Sequence, residues 1–367
     1  MKTITAVFLI ALTTSYLLTP WVRALAIRFG VLDMPDARRV HTEPIPRWGG
    51  LAIYGGVLLA VLAGMARLYL LSPVDAVFWQ RVVPFAGLLA VGTLVLVAGM
   101  LDDLRGFSAP LQAGVLLLSG LLVQVFGVQI EGLAAPFGGN FSEARWIPLG
   151  VWSIPLTALW IFVISKTMDT IDGLDGLAAG VSAIAALALA LMALQAADIL
   201  DQPYPNWLIA ISAAAIAGAA GGFLRYNFNP ARIFMGTGGA QFLGFMLAGL
   251  SVIGAFKTAT AFAILVPLLV FGLPLLDAVN VVVRRLVSGQ PIHKPDKRHI
   301  HHQLLERGLT QRQTMPLLYG IAIAMAIVAV WLFKRAIGYG TLRITPVKVA
   351  HGATRGFQAC GRGHGVA

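Results

Sequence analysis

Only 16 of the 367 residues are Asp or Glu, so the places where they cluster are informative. Asp102 and Asp103 stand side by side in GMLDDLRGFS, and Asp169, Asp172 and Asp175 follow at intervals of three in KTMDTIDGLDGLAAG. Adjacent carboxylates repel, and desolvation beside a bilayer raises the cost further. Such groups ask for a cation, and Mg²⁺ shared with substrate phosphates is the usual answer. The competing reading of Asp102 and Asp103 is a solvated helix end paired with Arg105, although acids at a helix C-terminus oppose its dipole. If the second segment is helical, its spacing puts Asp172 and Asp175 on one side. Gly173 and Gly176 would let backbone approach a ligand closely.

Basic groups gather elsewhere. RHIHHQLLERG carries Arg298, His299, His301 and His302, with Lys294 and Lys297 just before. H-x-H-H fits no standard zinc spacing, whereas donors beside fixed positive charge suit a diphosphate. The alternative is a basic loop that touches anionic lipid. RRVHTEPIPRWGG offers Arg39, His41 and Arg47 between turn-forming prolines, and YNFNPARIFMGTGGAQFLGF places a Gly-rich turn before a helix. Such a turn presents backbone N–H groups to anions, but small residues also serve close helix packing in membranes.

The elements that hold these groups are apolar. The chain is 58% hydrophobic and 12% charged, with a mean hydropathy of +0.80. Soluble domains are about half apolar and about a quarter charged, so a soluble enzyme, a fibre and a disordered chain are excluded. Stretches of membrane-spanning length, roughly 17–25 residues, recur near 3–20, 49–71, 82–101, 110–128, 151–168, 176–196, 206–224, 238–256, 259–286 and 315–333. The expected fold is all-α, a polytopic bundle of about ten transmembrane helices, with no internal repeat. Lys2 and Ala24-Leu25-Ala26 resemble the ends of a signal peptide, but Arg23 and the long apolar run favour an uncleaved first helix.

Lys and Arg number 16 in one alternate set of loops and 4 in the other, which by the positive-inside rule makes the first set cytoplasmic. That set carries every cluster above, so the active site is expected on the cytoplasmic face. The same placement accounts for the net charge of +11 without nucleic acid. Cys360 is the sole cysteine, so disulfide frameworks and Cys-rich metal sites are excluded. Residues 1–333 are expected to form the membrane domain. Residues 334–367 form a basic Gly-rich tail, expected to be disordered and assigned no role. Carboxylates for a metal, basic groups for phosphates and a lipid-facing bundle together suggest phosphoryl transfer to or from a lipid.

From Arg38 to Gln313 the motifs RRVHTEPIPRWGG, LDDLRGFS, IDGLDGLAAG, YNFNPARIFMG and KRHIHHQLLERGLTQRQT occur in order. In these the chain resembles the polyprenyl-phosphate N-acetylhexosamine-1-phosphate transferase family (glycosyltransferase 4). The HIHHQLLERG form is similar to its undecaprenyl-phosphate N-acetylglucosamine branch. The resemblance implies a Mg²⁺-dependent reaction in a bacterial inner membrane, between a UDP-sugar and undecaprenyl phosphate, that releases UMP and starts an envelope polysaccharide such as lipopolysaccharide. It implies catalytic roles for Asp102, Asp103, Asp172 and Asp175. It implies substrate contacts from Arg47, His41, Asn229, Arg298, His299, His301 and His302.

Four positions depart from the family pattern. Thr237 follows Phe234-Met235-Gly236 where the family has a metal-binding Asp, Lys166 and Asp169 stand where it has two Asn, and Pro110 stands where it has a Lys. One expectation is that Asp169 supplies the carboxylate Thr237 lacks, so that both belong to the metal site. The others are a member that binds nucleotide-sugar or polyprenyl phosphate without turnover, and a transporter. Transporters place ionisable groups near the midplane and often show inverted repeats. The sequence leaves a homodimer open.

Overall fold

A computed structural model of the chain describes residues 2–35, 43–71, 76–135, 145–199, 203–254, 268–287 and 300–339. The polypeptide runs through α1 (Lys2–Arg28), a two-residue hairpin of β1 (Leu32–Asp33) and β2 (Ile45–Pro46), α2 (Gly50–Leu71), α3 (Ala76–Arg105) and α4 (Ala109–Leu122). A second hairpin pairs β3 (Gly132–Ala135) with β4 (Arg145–Pro148). Then come α5 (Ser153–Ile171), α6 (Leu177–Ile199), α7 (Pro203–Asn227), α8 (Gly236–Gly254), α9 (Gly272–Val287), the short α10 (Ile300–Glu306) and α11 (Gln311–Tyr339).

Nine helices among the described residues are long and apolar enough to cross a membrane, which makes this a multi-pass membrane protein. They match nine of the ten expected spans. The remaining one, 259–286, lies partly outside the described residues, and α9 occupies its second half. α11 continues past residue 333 to Tyr339, so the expected domain boundary falls inside a helix. The rest of the tail lies outside the described residues. Neither hairpin was expected, because strands of two to four residues leave no hydropathy signature.

Burial orders the helices. Some 89% of the apolar window of α8 is buried, against 22% for α4, and α8 packs on α2, α3, α5, α6 and α7. Lipid tails are as apolar as leucine, so such a helix is held by close contact rather than by a hydrophobic drive. Glycines provide it. A Cβ on Gly99 would lie 2.3 Å from Gly238 Cα, one on Gly50 2.4 Å from Gly239 Cα, and one on Gly244 2.6 Å from Ser165 Cα. The helix that carries the Gly-rich turn is therefore clamped against α2 and against α3 and α5, whose ends carry the acidic clusters. Two polar contacts add to the apolar packing: Tyr54 with Thr93 at 3.0 Å, and Trp160 Nε1 donating to Ser251 Oγ at 3.1 Å.

Backbone pairing then joins two motifs that lie far apart in sequence. Phe234 N donates to Pro46 O, Gly49 N to Phe234 O, and Gly50 N to Met235 O, at 2.8–2.9 Å. The RWGG turn and the FMG turn are thus one structural unit, and Trp48, at a φ of 76°, donates its Nε1 to Met100 O at 3.3 Å.

Candidate active site at one end of the bundle

The C-terminal ends of α3 and α5 meet the N-terminal end of α8, and neighbouring acids in the α3 pair point different ways. Successive helical residues are about 100° apart in angle, so Asp102 and Asp103 cannot serve one point. Asp102 accepts Phe107 N at 2.5 Å and Gln112 Nε2 at 3.0 Å. It closes the turn between α3 and α4. Asp103 faces inward instead, with its side chain 1% exposed.

Asp103 Oδ1 accepts Thr237 N at 3.2 Å and Arg47 Nη1 at 3.3 Å. The Thr237 N–H of the Gly-rich turn therefore faces an anion, but that anion is the protein's own carboxylate. Gly236, at a φ of 75°, allows this approach, since a Cβ there would lie 2.3 Å from Asp103 Oδ2. Asp103 Oδ2 is buried and has no hydrogen-bond partner. Arg47 also pairs with Asp33 through Nη2, and so ties β1 and β2 to the acid of α3.

The second cluster is not helical throughout. The helix stops at Ile171, Asp172 has a ψ of 36°, and residues 172–176 form turns before α6 begins. Asp172 and Asp175 therefore do not share a helix face, contrary to the helical expectation. Gly176, at a φ of 81°, completes the turn, and Tyr319 of α11 donates to its carbonyl at 2.7 Å. Asp175 Oδ2 accepts Asn229 Nδ2 at 2.9 Å and Ala231 N at 3.0 Å, while Asn229 Nδ2 also donates to Gln311 Oε1 at 2.5 Å. Asp175 and Asn229 thus organise the NPAR turn that leads into the site.

Among the described residues, no side chain donates to the Asp172 carboxylate. Burial pushes it well above the usual carboxylate range, and the negative charges of Asp169, Asp103 and Asp175 push the same way. Asp169 is engaged: its Oδ2 lies 2.7 Å from Lys166 Nζ and 3.4 Å from Gln241 Nε2. Asp103 Oδ2 and the Asp172 carboxylate have no side-chain donor among the described residues, while Asp169, an expected ligand, has its Oδ2 on Lys166. Thr237 enters through its backbone N–H.

This donor set fits a small hard cation that takes one or two protein carboxylates and completes its shell with phosphate oxygens and water. No group of three or more His, Cys, Asp or Glu among the described residues could hold a metal by itself. His41, Arg298 and His299 lie outside the described residues. His301 and His302 fall in α10, and Ile300–Glu306 packs near the start of α11.

Sequence reasoning passed over Asp33, Gln112 and Gln241, and noted Lys166 only as a departure. Gln241 did leave a signal, as a buried amide in the otherwise apolar α8. Asp33 left none, because its partner becomes visible only once the β1–β2 hairpin forms.

A membrane bundle whose helix ends hold clustered carboxylates on one side, beside Arg47 and a Gly-clamped turn, fits a membrane transferase of phosphate esters rather than a soluble enzyme. The chain belongs to glycosyl transferase family 4, whose model matches residues 85–255. It is 36% identical over 330 residues to the probable undecaprenyl-phosphate N-acetylglucosaminyl 1-phosphate transferase of Bacillus subtilis, covering 90% of this chain and 85% of that one. It is 37% identical to the decaprenyl-phosphate N-acetylglucosaminephosphotransferase of Mycolicibacterium smegmatis, over 87% of this chain and 79% of the relative. To the undecaprenyl-phosphate alpha-N-acetylglucosaminyl 1-phosphate transferase of Escherichia coli K12 it is 26% identical, over 84% and 77%.

Proposed function

We propose that this protein transfers N-acetylglucosamine-1-phosphate from UDP-N-acetylglucosamine to undecaprenyl phosphate, at the cytoplasmic face of a bacterial inner membrane. An oxygen of the lipid phosphate attacks the phosphorus that bears the sugar. A new P–O–P link forms, the old phosphoanhydride bond breaks, and UMP leaves with the electron pair. The observation that carries this reading is the inward Asp103, with one oxygen fixed by Arg47 and Thr237 N and the other buried without a partner, beside an unpaired Asp172.

Mg²⁺, held by Asp103 and Asp172, would neutralise phosphate charge in the transition state. The chain's own residues do the positioning. Arg47 fixes the Asp103 carboxylate, Asp175 and Asn229 hold the NPAR turn, and Tyr319 pins the turn that carries Asp172 and Asp175. We assign donor diphosphate contacts to Arg298, His299, His301 and His302, whose charges and N–H groups suit phosphate oxygens.

UMP release from UDP-N-acetylglucosamine, with undecaprenyl phosphate and Mg²⁺ in nanodiscs, tests the reading. The expected result is UMP formed only when both substrates are present. A folded protein that takes the sugar nucleotide into liposomes without UMP release would overturn it in favour of transport. Binding of either substrate with no turnover would favour an inactive member.

A further inference from the structure

Lys166 lies inside a membrane-spanning helix, where an ionisable residue is expensive and generally functional. It does not extend freely toward water. Its Nζ is held 2.7 Å from Gln112 Oε1 on α4 and 2.7 Å from Asp169 Oδ2 one turn further along α5. Gln112 is oriented in turn, because its Nε2 donates to Asp102 Oδ2 at 3.0 Å. Asp102 therefore acts through Gln112 to aim a carbonyl oxygen at the ammonium, which is a reason for an acid at that position besides closing the turn.

An ammonium carries three N–H donors. Two are taken, and no third acceptor for Lys166 exists among the described residues. The side chain is 36% exposed, so it is not sealed inside the bundle. The charge balance points the same way. Asp169 feels the neighbouring charges of Asp172 and Asp103, and Arg47 already serves both Asp33 and Asp103. A partly exposed ion pair contributes little to stability, so stability alone does not account for a lysine fixed at this spot.

We propose that the Lys166 ammonium is a phosphate-binding group of the active site, a built-in monovalent cation that donates its third N–H to a non-bridging phosphate oxygen of a substrate. This rests on the transferase reading above. The same chemistry is offered by the donor diphosphate and by the lipid monophosphate, and the experiment separates them.

The full chain in nanodiscs is compared with Lys166→Met, Lys166→Arg and the double variant Lys166→Met/Asp169→Asn. UMP release is measured with each substrate varied in turn. Calorimetric titrations with UDP-N-acetylglucosamine alone and with a short-chain polyprenyl phosphate alone provide a reading that does not depend on turnover. Losing one charge-assisted hydrogen bond is expected to raise KM and Kd about tenfold or more for whichever substrate Lys166 contacts. The double variant removes the uncompensated Asp169 charge, so it keeps the comparison available if the single variant fails to fold. It is expected to retain the binding defect, with partial recovery in Lys166→Arg.

Wild-type KM and Kd values in the double variant would overturn the proposal, because Lys166 would then serve only to neutralise Asp169. Unchanged binding of both substrates in Lys166→Met would overturn it as well. Turnover by the wild type reports separately on the transferase reading, and the titrations report on Lys166 even without turnover.

Discussion

At the scale of single residues, adjacent carboxylates divide their work. Asp102 closes a turn and orients Gln112, whereas Asp103 is buried with an oxygen left open. Replacing Asp103 by Asn should lower kcat in the UMP-release assay by about 100-fold or more, the scale of losing a group that stabilises transition-state charge. Thermal stability should fall as well, since Asp103 is one half of a buried ion pair with Arg47. Asp172→Asn should lower kcat on the same scale but keep or raise thermal stability, since burial and the neighbouring acids disfavour its charge.

The sign of the Asp172 effect on stability follows from its raised pKa. The folded protein binds this proton more tightly than the unfolded chain, so its contribution to stability falls as pH rises through that interval. Without Mg²⁺, the wild type should therefore gain stability as pH is lowered toward the usual carboxylate range, and the Asn variant should lack that gain. Melts across pH in EDTA check this. Thr237→Asp tests the same site from α8: an added carboxylate beside Asp103 should lower the Mg²⁺ concentration needed for half-maximal turnover.

At the scale of elements, the site depends on how closely α8 approaches its neighbours. Gly239→Ala places a Cβ 2.7 Å from Gly50 Cα, and overpacking of this kind costs about 1–3 kcal/mol. The expected outcome is a lower Tm in detergent together with lower kcat, because the turn at Gly236 moves with the helix. On the other side, Tyr319 holds the turn between α5 and α6 through Gly176 O. Tyr319→Phe removes that hydrogen bond and should cost about 1 kcal/mol. Gly180→Ala should do more, because its Cβ would meet Tyr319 Oη at 2.2 Å and push the whole ring away. Hydrogen exchange at residues 172–177 distinguishes the two variants from a general loss of stability.

At the scale of the whole molecule, a line of polar groups crosses four helices near one end of the bundle. It runs from Asp102 to Gln112, Lys166, Asp169 and Gln241. Each member sits on a different turn or helix, so the line exists only when α3, α4, α5 and α8 are docked. Removing its middle, as in Lys166→Met, should weaken the coupling between α4 and α5, which is measurable as earlier proteolysis at the segment joining them.

Much of this molecule could be read without coordinates. Spans appear in sequence because a bilayer demands runs of apolar residues of fixed length, and Asp102, Asp103, Asp169, Asp172 and Asp175 stand out because acids are rare in such a chain. The clustered basic residues mark one set of loops for the same reason. Which acid does what was not legible. Asp102 and Asp103 are chemically identical, and only the packing of α8 turns one toward the site and leaves the other at a turn. Nor did spacing reveal that Asp172 and Asp175 lie in a turn, that Asp33 meets Arg47, or that Lys166 claims Asp169. Hydropathy and composition are local properties that survive in the unfolded chain. Pairings across 56 to 134 residues, such as Arg47 and Thr237 on Asp103, arise only from tertiary contact between glycine-lined helices.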